Sequence, residues 1–130
     1  MTDSTAAQLE SLDSYRSRVR AWFESIELPT IPTNYDERMR VLRQWHQELY
    51  RAGWLGTHWP KEVGGRGLTV EHQLVFAGEL ARVRAPQPVG SIGLEVVGPT
   101  ILSHGTDEQR LRFLPPLLAG EEVWCQGFSE

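Results

Sequence analysis

The sequence contains a single cysteine, Cys125, in 130 residues. One thiol cannot form an internal disulfide, so the chain is not a disulfide-stapled secreted domain, and a reducing compartment is expected. The spacing of the cysteine and the four histidines matches no zinc site, and no metal site is predicted. The first five residues lack the basic and apolar regions of a signal peptide. The sequence therefore predicts a soluble, cytoplasmic protein.

Long apolar runs and positive charge are also scarce. No apolar run approaches the roughly 20 residues that a membrane-spanning helix requires. The 13 Lys and Arg residues stand against 17 Asp and Glu residues, which gives a net charge of −4. A nucleic-acid partner is not expected, because binding it needs a basic face that offsets phosphate charge. The 40% hydrophobic and 23% charged residues are instead typical of a globular domain.

Apolar residues recur at steps of three and four along most of the chain, a spacing that builds one apolar stripe on a helix. The sequence therefore predicts an all-α fold, an orthogonal or up-down bundle of about five helices. A helix-capping box is predicted at Thr106 and Gln109, and Pro115-Pro116 is expected to interrupt the helix that follows. The predicted helices cover residues 6–26, from about 34 to 52, from 69 to before Pro86, 91–103, and from 106 to Pro115. Ser4 or Thr5 is expected to cap the start of the first helix.

Glycine is concentrated in two places. The loop over residues 54–68 has four glycines, but its Trp54 and Trp59 predict an ordered loop, and its pattern fits neither the dinucleotide fingerprint nor the P-loop. The fourth predicted helix contains Gly93 and Gly98, each costing about 1 kcal/mol relative to Ala. Either a close helix neighbour or a bound ligand must compensate. Pro99 is expected to kink or divide this helix.

The last stretch, Gly120 to Glu130, has the composition of a buried β-strand, with Val123, Trp124 and Phe128. A strand needs a partner strand, and no second strand is predicted elsewhere in the chain. The predicted domains are therefore a helical domain over residues 1–119 and the start of a following β-domain over residues 120–130. We expect the chain to be the N-terminal part of a longer protein.

No catalytic residue is predicted. The four histidines are interpreted as ordinary surface or helix-end residues, and the acidic side chains considered as an acid/base pair are interpreted as surface charge. Cys125 lies in an apolar run without a neighbouring base, so a buried, unreactive thiol is expected. The residues so interpreted are His46, His58, His72, His104, Glu71, Glu79, Glu121 and Glu122.

Four ordered blocks of the sequence resemble the acyl-CoA dehydrogenase family. The first is Gly53-Trp-Leu-Gly-Thr-His-Trp-Pro-Lys-Glu-Val-Gly-Gly-Arg-Gly67, and the second is Gly98-Pro-Thr-Ile-Leu-Ser-His-Gly-Thr-Asp-Glu-Gln109. Phe113-Leu-Pro-Pro116 and Gly120-Glu-Glu-Val-Trp-Cys-Gln-Gly-Phe-Ser-Glu130 complete the set. Over residues 7–130 the chain is similar to the family's N-terminal helical domain and the first strand of its middle β-domain.

The resemblance implies a flavoenzyme that uses FAD to remove a proton and a hydride from the α and β carbons of an acyl-CoA thioester. It also implies an electron acceptor such as electron-transfer flavoprotein, and a homo- or hetero-oligomer when the protein is full length. The family's catalytic base is a Glu of a C-terminal domain, and this sequence has no counterpart to it.

Two sets of site residues follow from the resemblance. Gln126, Phe128 and Ser129 match the strand that lies against the flavin. Val89, Ile92, Gly93 and Val96 match the helix that lines the acyl channel, although plain helix packing explains the glycine nearly as well.

The sequence departs from the family where the Gly-Ser-Asp expected after Glu130 is absent. The chain alone is therefore expected to be inactive and to hold FAD weakly. Two alternatives stay open: a non-catalytic helical interaction module of the same fold, and an acyl-CoA oxidase.

Overall fold

The computed structural model describes residues 9–129 and is helical over most of them. A 3₁₀ turn, Lys61–Val63, lies in the loop between the second and third helices, and a π-helical turn, Gly93–Val97, leads directly into the fourth. The prediction of an all-α fold with five helices is confirmed for the described residues. These helices are α1 (Leu12–Ser25), α2 (Tyr35–Arg51), α3 (Val70–Arg82), α4 (Gly98–His104) and α5 (Asp107–Ala119).

Side-chain caps define where the helices begin. The Ser11 hydroxyl accepts a hydrogen bond from the backbone N–H of Ser14 at 3.2 Å, so α1 begins later than the predicted residue 6. The caps expected at residues 4 and 5 lie outside the described residues. The predicted capping box before α5 is confirmed, because Thr106 and Gln109 exchange side-chain to backbone hydrogen bonds at 2.9 and 3.1 Å.

An aromatic cluster forms the centre of the core and joins α1, α2, α3 and the loop after α2. The rings of Trp22 and Trp45 are stacked with centroids 6.0 Å apart, and those of Trp54 and Phe76 are also 6.0 Å apart. Trp54 is 4% exposed and Trp59 1% exposed, so the prediction of an ordered loop is confirmed. Burying such large rings supplies much of the hydrophobic stabilisation of a small domain.

The π-turn before α4 is explained by Pro99. Proline has no N–H, and in a regular α-helix its ring would collide with the carbonyl of Glu95. The backbone N–H of Gly98 instead donates to the carbonyl of Gly93, five residues earlier, which inserts one extra residue into the turn. The discontinuity expected at Pro99 therefore takes the form of this π-turn.

Close packing explains the helix glycines. A Cβ at Gly93 would lie 3.1 Å from Leu117 Cγ, and a Cβ at Gly98 would overlap the indole ring of Trp59. Protein side chains fill the space that these glycines leave, so the packing alternative accounts for them without a ligand.

The prediction that Pro115-Pro116 would interrupt the last helix is wrong, because α5 continues to Ala119. Leu114 and Leu118 are fully buried and Leu117 is 2% exposed, so the apolar face of the helix outweighs the two missing backbone donors.

The predicted strand is not observed, since residues 123–129 have no regular secondary structure. Nothing in the described part of the chain offers this segment a partner strand, and an unpaired strand does not form. The expected burial is also wrong: Val123 is 47% exposed, Phe128 is 82% exposed, and Cys125 is exposed. The division at residue 119 stays a prediction.

Three polar residues expected at the surface are buried. His46 and His72 lie in the interior, where each makes hydrogen bonds to the backbone. Glu79 is 5% exposed and lies between Arg20 and Arg82, with N–O distances of 3.0 and 2.7 Å. Periodicity indicated their helix faces but not the partners that permit burial. Among the described helices none is long and apolar enough to cross a membrane.

Candidate functional site

An apolar groove runs along the surface where the π-turn, α4 and α5 meet the segment after α5. We call it the α4–α5 groove. Its cavity volume is about 470 Å³, within the range of small-molecule sites. Its apolar lining residues are Ile92, Val96, Val97, Ile101, Phe113 and Trp124, its polar ones are Thr100, His104, Gln109, Cys125 and Gln126, and Gly105 completes the lining.

The groove leaves apolar side chains in contact with water. Ile92 is 38% exposed and Val96 is 44% exposed, although both belong to a helix whose opposite side is buried. Each Å² of apolar surface removed from water contributes about 25 cal/mol, so an apolar ligand or protein surface is stabilised there. The lining residues that the structure describes include no carboxylate and no lysine. The groove therefore supplies shape and apolar surface more than acid/base chemistry.

Four of the seven site residues expected from the sequence lie elsewhere. Gly93 is buried and faces Leu117, so it contributes no surface to the groove. Val89 lines a separate cleft of about 420 Å³ beside Val123. Phe128 and Ser129 are exposed and lie outside the groove lining.

The remaining three, Ile92, Val96 and Gln126, line the α4–α5 groove together. Gln126 belongs to the set expected at a flavin, and the other two belong to the set expected at an acyl group. The structure therefore brings members of both sets to one surface.

The segment after α5 is held by side-chain contacts at its start, and its backbone makes no hydrogen bonds further along the described chain. The guanidinium of Arg43 donates to the carbonyls of Gly120 and Glu121 at 3.1 and 2.6 Å, and Arg112 pairs with Glu122 at 2.8 Å. Within the part of the chain that the structure describes, residues 123–129 make no backbone hydrogen bond. These backbone groups and the exposed Gln126 side chain suit the polar edge of a planar ring such as a flavin, which needs donors and acceptors.

Sequence reasoning missed Phe113 and Trp124 as groove residues. Their rings meet edge to face with centroids 5.5 Å apart and close one side of the groove. This pairing depends on how the segment folds back over α5, which periodicity does not encode. Thr100 could have been predicted as a groove residue from the sequence, because it follows Val96 by four residues and so lies on the same helical face.

His46 lies in the interior and links two chain segments that adjoin the walls of the groove, although neither of its partners lines the groove. Its Nδ1 accepts a hydrogen bond from the backbone N–H of Gly90 at 3.2 Å, so its Nε2 carries the proton and donates to the Leu118 carbonyl at 2.9 Å. Burial lowers the pKa of His46, opposed in part by the Leu118 hydrogen bond. A neutral histidine therefore joins the turn before the π-turn to the end of α5.

The fold and the groove define a class, an all-helical domain that offers an apolar ligand-sized surface beside an unpaired extended segment. The family model described as "Acyl-CoA dehydrogenase, N-terminal domain" matches residues 10–121. The chain therefore belongs to this family, as the sequence blocks indicated.

Several relatives are acyl-CoA dehydrogenases. The chain is 40% identical over 127 residues to acyl-CoA dehydrogenase IpdE1 of Mycolicibacterium smegmatis, covering 92% of this chain and 32% of that protein. It is 37% identical to IpdE1 of Mycobacterium tuberculosis, covering 94% of this chain and 34% of that protein. The chain thus spans about a third of the length of these relatives.

Solved structures give the same likeness. The ChsE4-ChsE5 complex from Mycobacterium tuberculosis matches with a TM-score of 0.65 and 34% identity, over 93% of this chain and 30% of that chain. The Tcur3481-Tcur3483 steroid acyl-CoA dehydrogenase matches with a TM-score of 0.65 and 34% identity, over 88% of this chain and 31% of that chain.

Proposed function

We propose that this chain is the N-terminal helical domain of an FAD-dependent acyl-CoA dehydrogenase, and that the α4–α5 groove forms one wall of the site for the acyl group and the flavin. The observation that carries the proposal is the meeting of Ile92, Val96 and Gln126 on one groove. FAD, when bound, supplies the acceptor for the hydride that leaves the β carbon while a base removes the α proton. The base belongs to another part of the enzyme.

The residues of this chain bind the acyl group and the flavin and hold them in position. Ile92 and Val96 exclude water from the acyl group and hold it by apolar contact. Gln126 and the unpaired backbone that follows it donate to the polar ring edge, with Phe128 and Ser129 completing the contact as the resemblance implies. Exclusion of water strengthens these hydrogen bonds, because the local dielectric constant falls.

A bulky, ring-bearing acyl group is the substrate class that we propose. Its support is the likeness to a steroid acyl-CoA dehydrogenase and the presence of both an apolar bed and two aromatic rings, Phe113 and Trp124, along the groove. Assembly with a second, different chain is proposed on the likeness to two-chain enzymes. Electron-transfer flavoprotein or a similar acceptor completes the proposed reaction.

The test uses the protein as its gene encodes it, purified with any co-expressed partner chain. The proposal expects a yellow protein with flavin absorbance, and oxidation of a steroid-derived acyl-CoA with a lower KM than that of a straight-chain acyl-CoA. Val96→Trp fills the groove and should raise KM for the bulky substrate by about tenfold, equivalent to about 1.4 kcal/mol.

Val70→Trp is the matched control, because Val70 is a 58% exposed valine on α3, outside the groove lining. This variant should leave KM unchanged. A folded, colourless product would overturn the proposal in favour of a non-catalytic interaction module. Stoichiometric peroxide formation under air would identify an acyl-CoA oxidase instead.

A further inference from the structure

We infer that the contact between Gly98 and Trp59 sets the width of the α4–α5 groove and that both are positioning residues for its ligand. Neither residue lines the groove itself. The inference about groove width stands on the packing, and only its consequence for an acyl substrate rests on the proposed function.

Trp59 is a fixed wall behind the helix. Its side chain is 1% exposed, and its backbone is held on both sides, since its N–H donates to the Gly56 carbonyl and its carbonyl accepts from the Gly67 N–H, each at 2.9 Å. A Cβ added at Gly98 would overlap the Cζ2 and Cη2 atoms of the indole. The ring is buried and its backbone is anchored, and it also borders a cavity of about 160 Å³ that Phe76 and Leu80 help to line. We take the helix backbone, rather than the anchored Trp59, to be the part that gives way.

Leu117 prevents the π-turn from moving toward α5. The buried Gly93, at the other end of the π-turn, packs on this leucine of α5, and a Cβ there would lie 3.1 Å from Leu117 Cγ. Gly93 and Gly98 are joined by the hydrogen bond that defines the π-turn, so the turn moves as one unit. The π-turn therefore cannot move toward the core, either on the side of Trp59 or on the side of Leu117.

The open direction leads into the groove. Ile92 and Val96 lie on the solvent side of the same turn and form the floor of the groove. A side chain at Gly98 would push this floor toward Phe113 and Trp124 and narrow the groove. A smaller ring at position 59 would let the floor retreat and widen it.

The experiment measures groove width through Cys125, the sole cysteine of the chain and a groove residue. The readout is the rate at which this thiol reacts with a bulky pyrene maleimide, divided by its rate with small iodoacetamide. Gly98→Ala should lower the ratio by about fivefold, and Trp59→Phe should raise it. The double variant should return to within about twofold of the wild type, because the shortened ring makes room for the new methyl group.

Gly78→Ala is the matched control. It makes the same change on α3, where an added Cβ meets nothing within 4 Å, and it should leave the ratio unchanged. Thermal melts by circular dichroism establish that each variant folds. If Gly98→Ala fails to fold, Trp59→Phe alone decides the question, because an unchanged or lowered ratio for it would overturn the inference. A folded Gly98→Ala variant that is destabilised but keeps the wild-type ratio would also overturn it.

The same variants in the full-length enzyme separate this inference from the proposed function. If the packing inference and the proposed function both hold, the ratio of KM for ring-bearing acyl-CoA to KM for straight-chain acyl-CoA should rise in Gly98→Ala. It should return toward the wild-type value in the double variant. If the thiol ratio changes and the KM ratio does not, the packing inference holds and the assignment of the groove to the acyl group is overturned.

Discussion

Replacement of His46 should show how strongly the two walls of the groove depend on one buried imidazole. His46→Ala removes the acceptor for the Gly90 N–H and the donor for the Leu118 carbonyl, and both backbone groups are then left without their partner in the interior. Leaving a buried polar group unsatisfied costs about 1–3 kcal/mol. The two groups together predict a loss of about 2–6 kcal/mol in the free energy of unfolding. His46→Gln, which keeps a donor and an acceptor, should lose about 1 kcal/mol.

The same residue gives the folded chain a pH dependence whose sign is fixed by burial. Burial lowers the pKa of His46 in the folded state, so the unfolded state binds more protons once the pH falls below about 6.5. The contribution of neutral His46 is fully present above that value. It should fall by up to about 1.4 kcal/mol per pH unit below it, until the folded-state pKa is reached.

Urea unfolding followed by circular dichroism at several pH values between 5 and 8 measures both effects. The quantity that isolates His46 is the difference in pH slope between the wild type and His46→Gln, because the other titrating groups are common to both. Parallel curves for the wild type and His46→Gln across this range would refute the reasoning.

Three further predictions concern residues away from the groove. Gly65→Ala should destabilise the chain by more than about 3 kcal/mol in urea unfolding, because the added Cβ would overlap the backbone carbonyl of Trp59; a mild effect would show that the loop is loosely held. Burial raises the pKa of Tyr15 to about 12, so its ultraviolet titration should have its midpoint near that pH, and this component should be absent in Tyr15→Phe. Stability gained from the neutral phenol should be lost as the pH rises above about 10. The hydrogen bond from Arg20 is the largest cause that lowers the pKa of Glu79, so stability should decline as the pH falls below about 4.5, and Glu79→Gln should lower the Tm and weaken that decline.

The helices were predictable because their signals are local. Apolar spacing located all five, and Thr106 with Gln109 marked the start of α5 as the structure has it. The end of α5 was not predictable in this way, since the cost of Pro115 and Pro116 is local but the burial of Leu114, Leu117 and Leu118 that outweighs it depends on tertiary packing.

The groove was predictable only in part, and for a physical reason. Ile92 and Val96 are four residues apart and share a face, so sequence resemblance could place both there. Gly93 belongs to the same short stretch but faces Leu117 in the core, because adjacent residues on a helix point about 100° apart. Trp124 and Gln126 reach the groove by a return of the chain over α5, and no local pattern specifies that return.

The unpaired segment over residues 123–129 has a consequence for handling the isolated chain. It exposes a row of main-chain amides together with Phe128, and such a row is a template onto which a second extended strand can add. Copies of the chain at high concentration should therefore stick to one another edge to edge through this segment, while their helices stay intact. Hydrogen exchange of the backbone amides should then slow at residues 123–129 alone as the protein concentration rises. The Phe128→Lys variant should prevent the turbidity that this association causes.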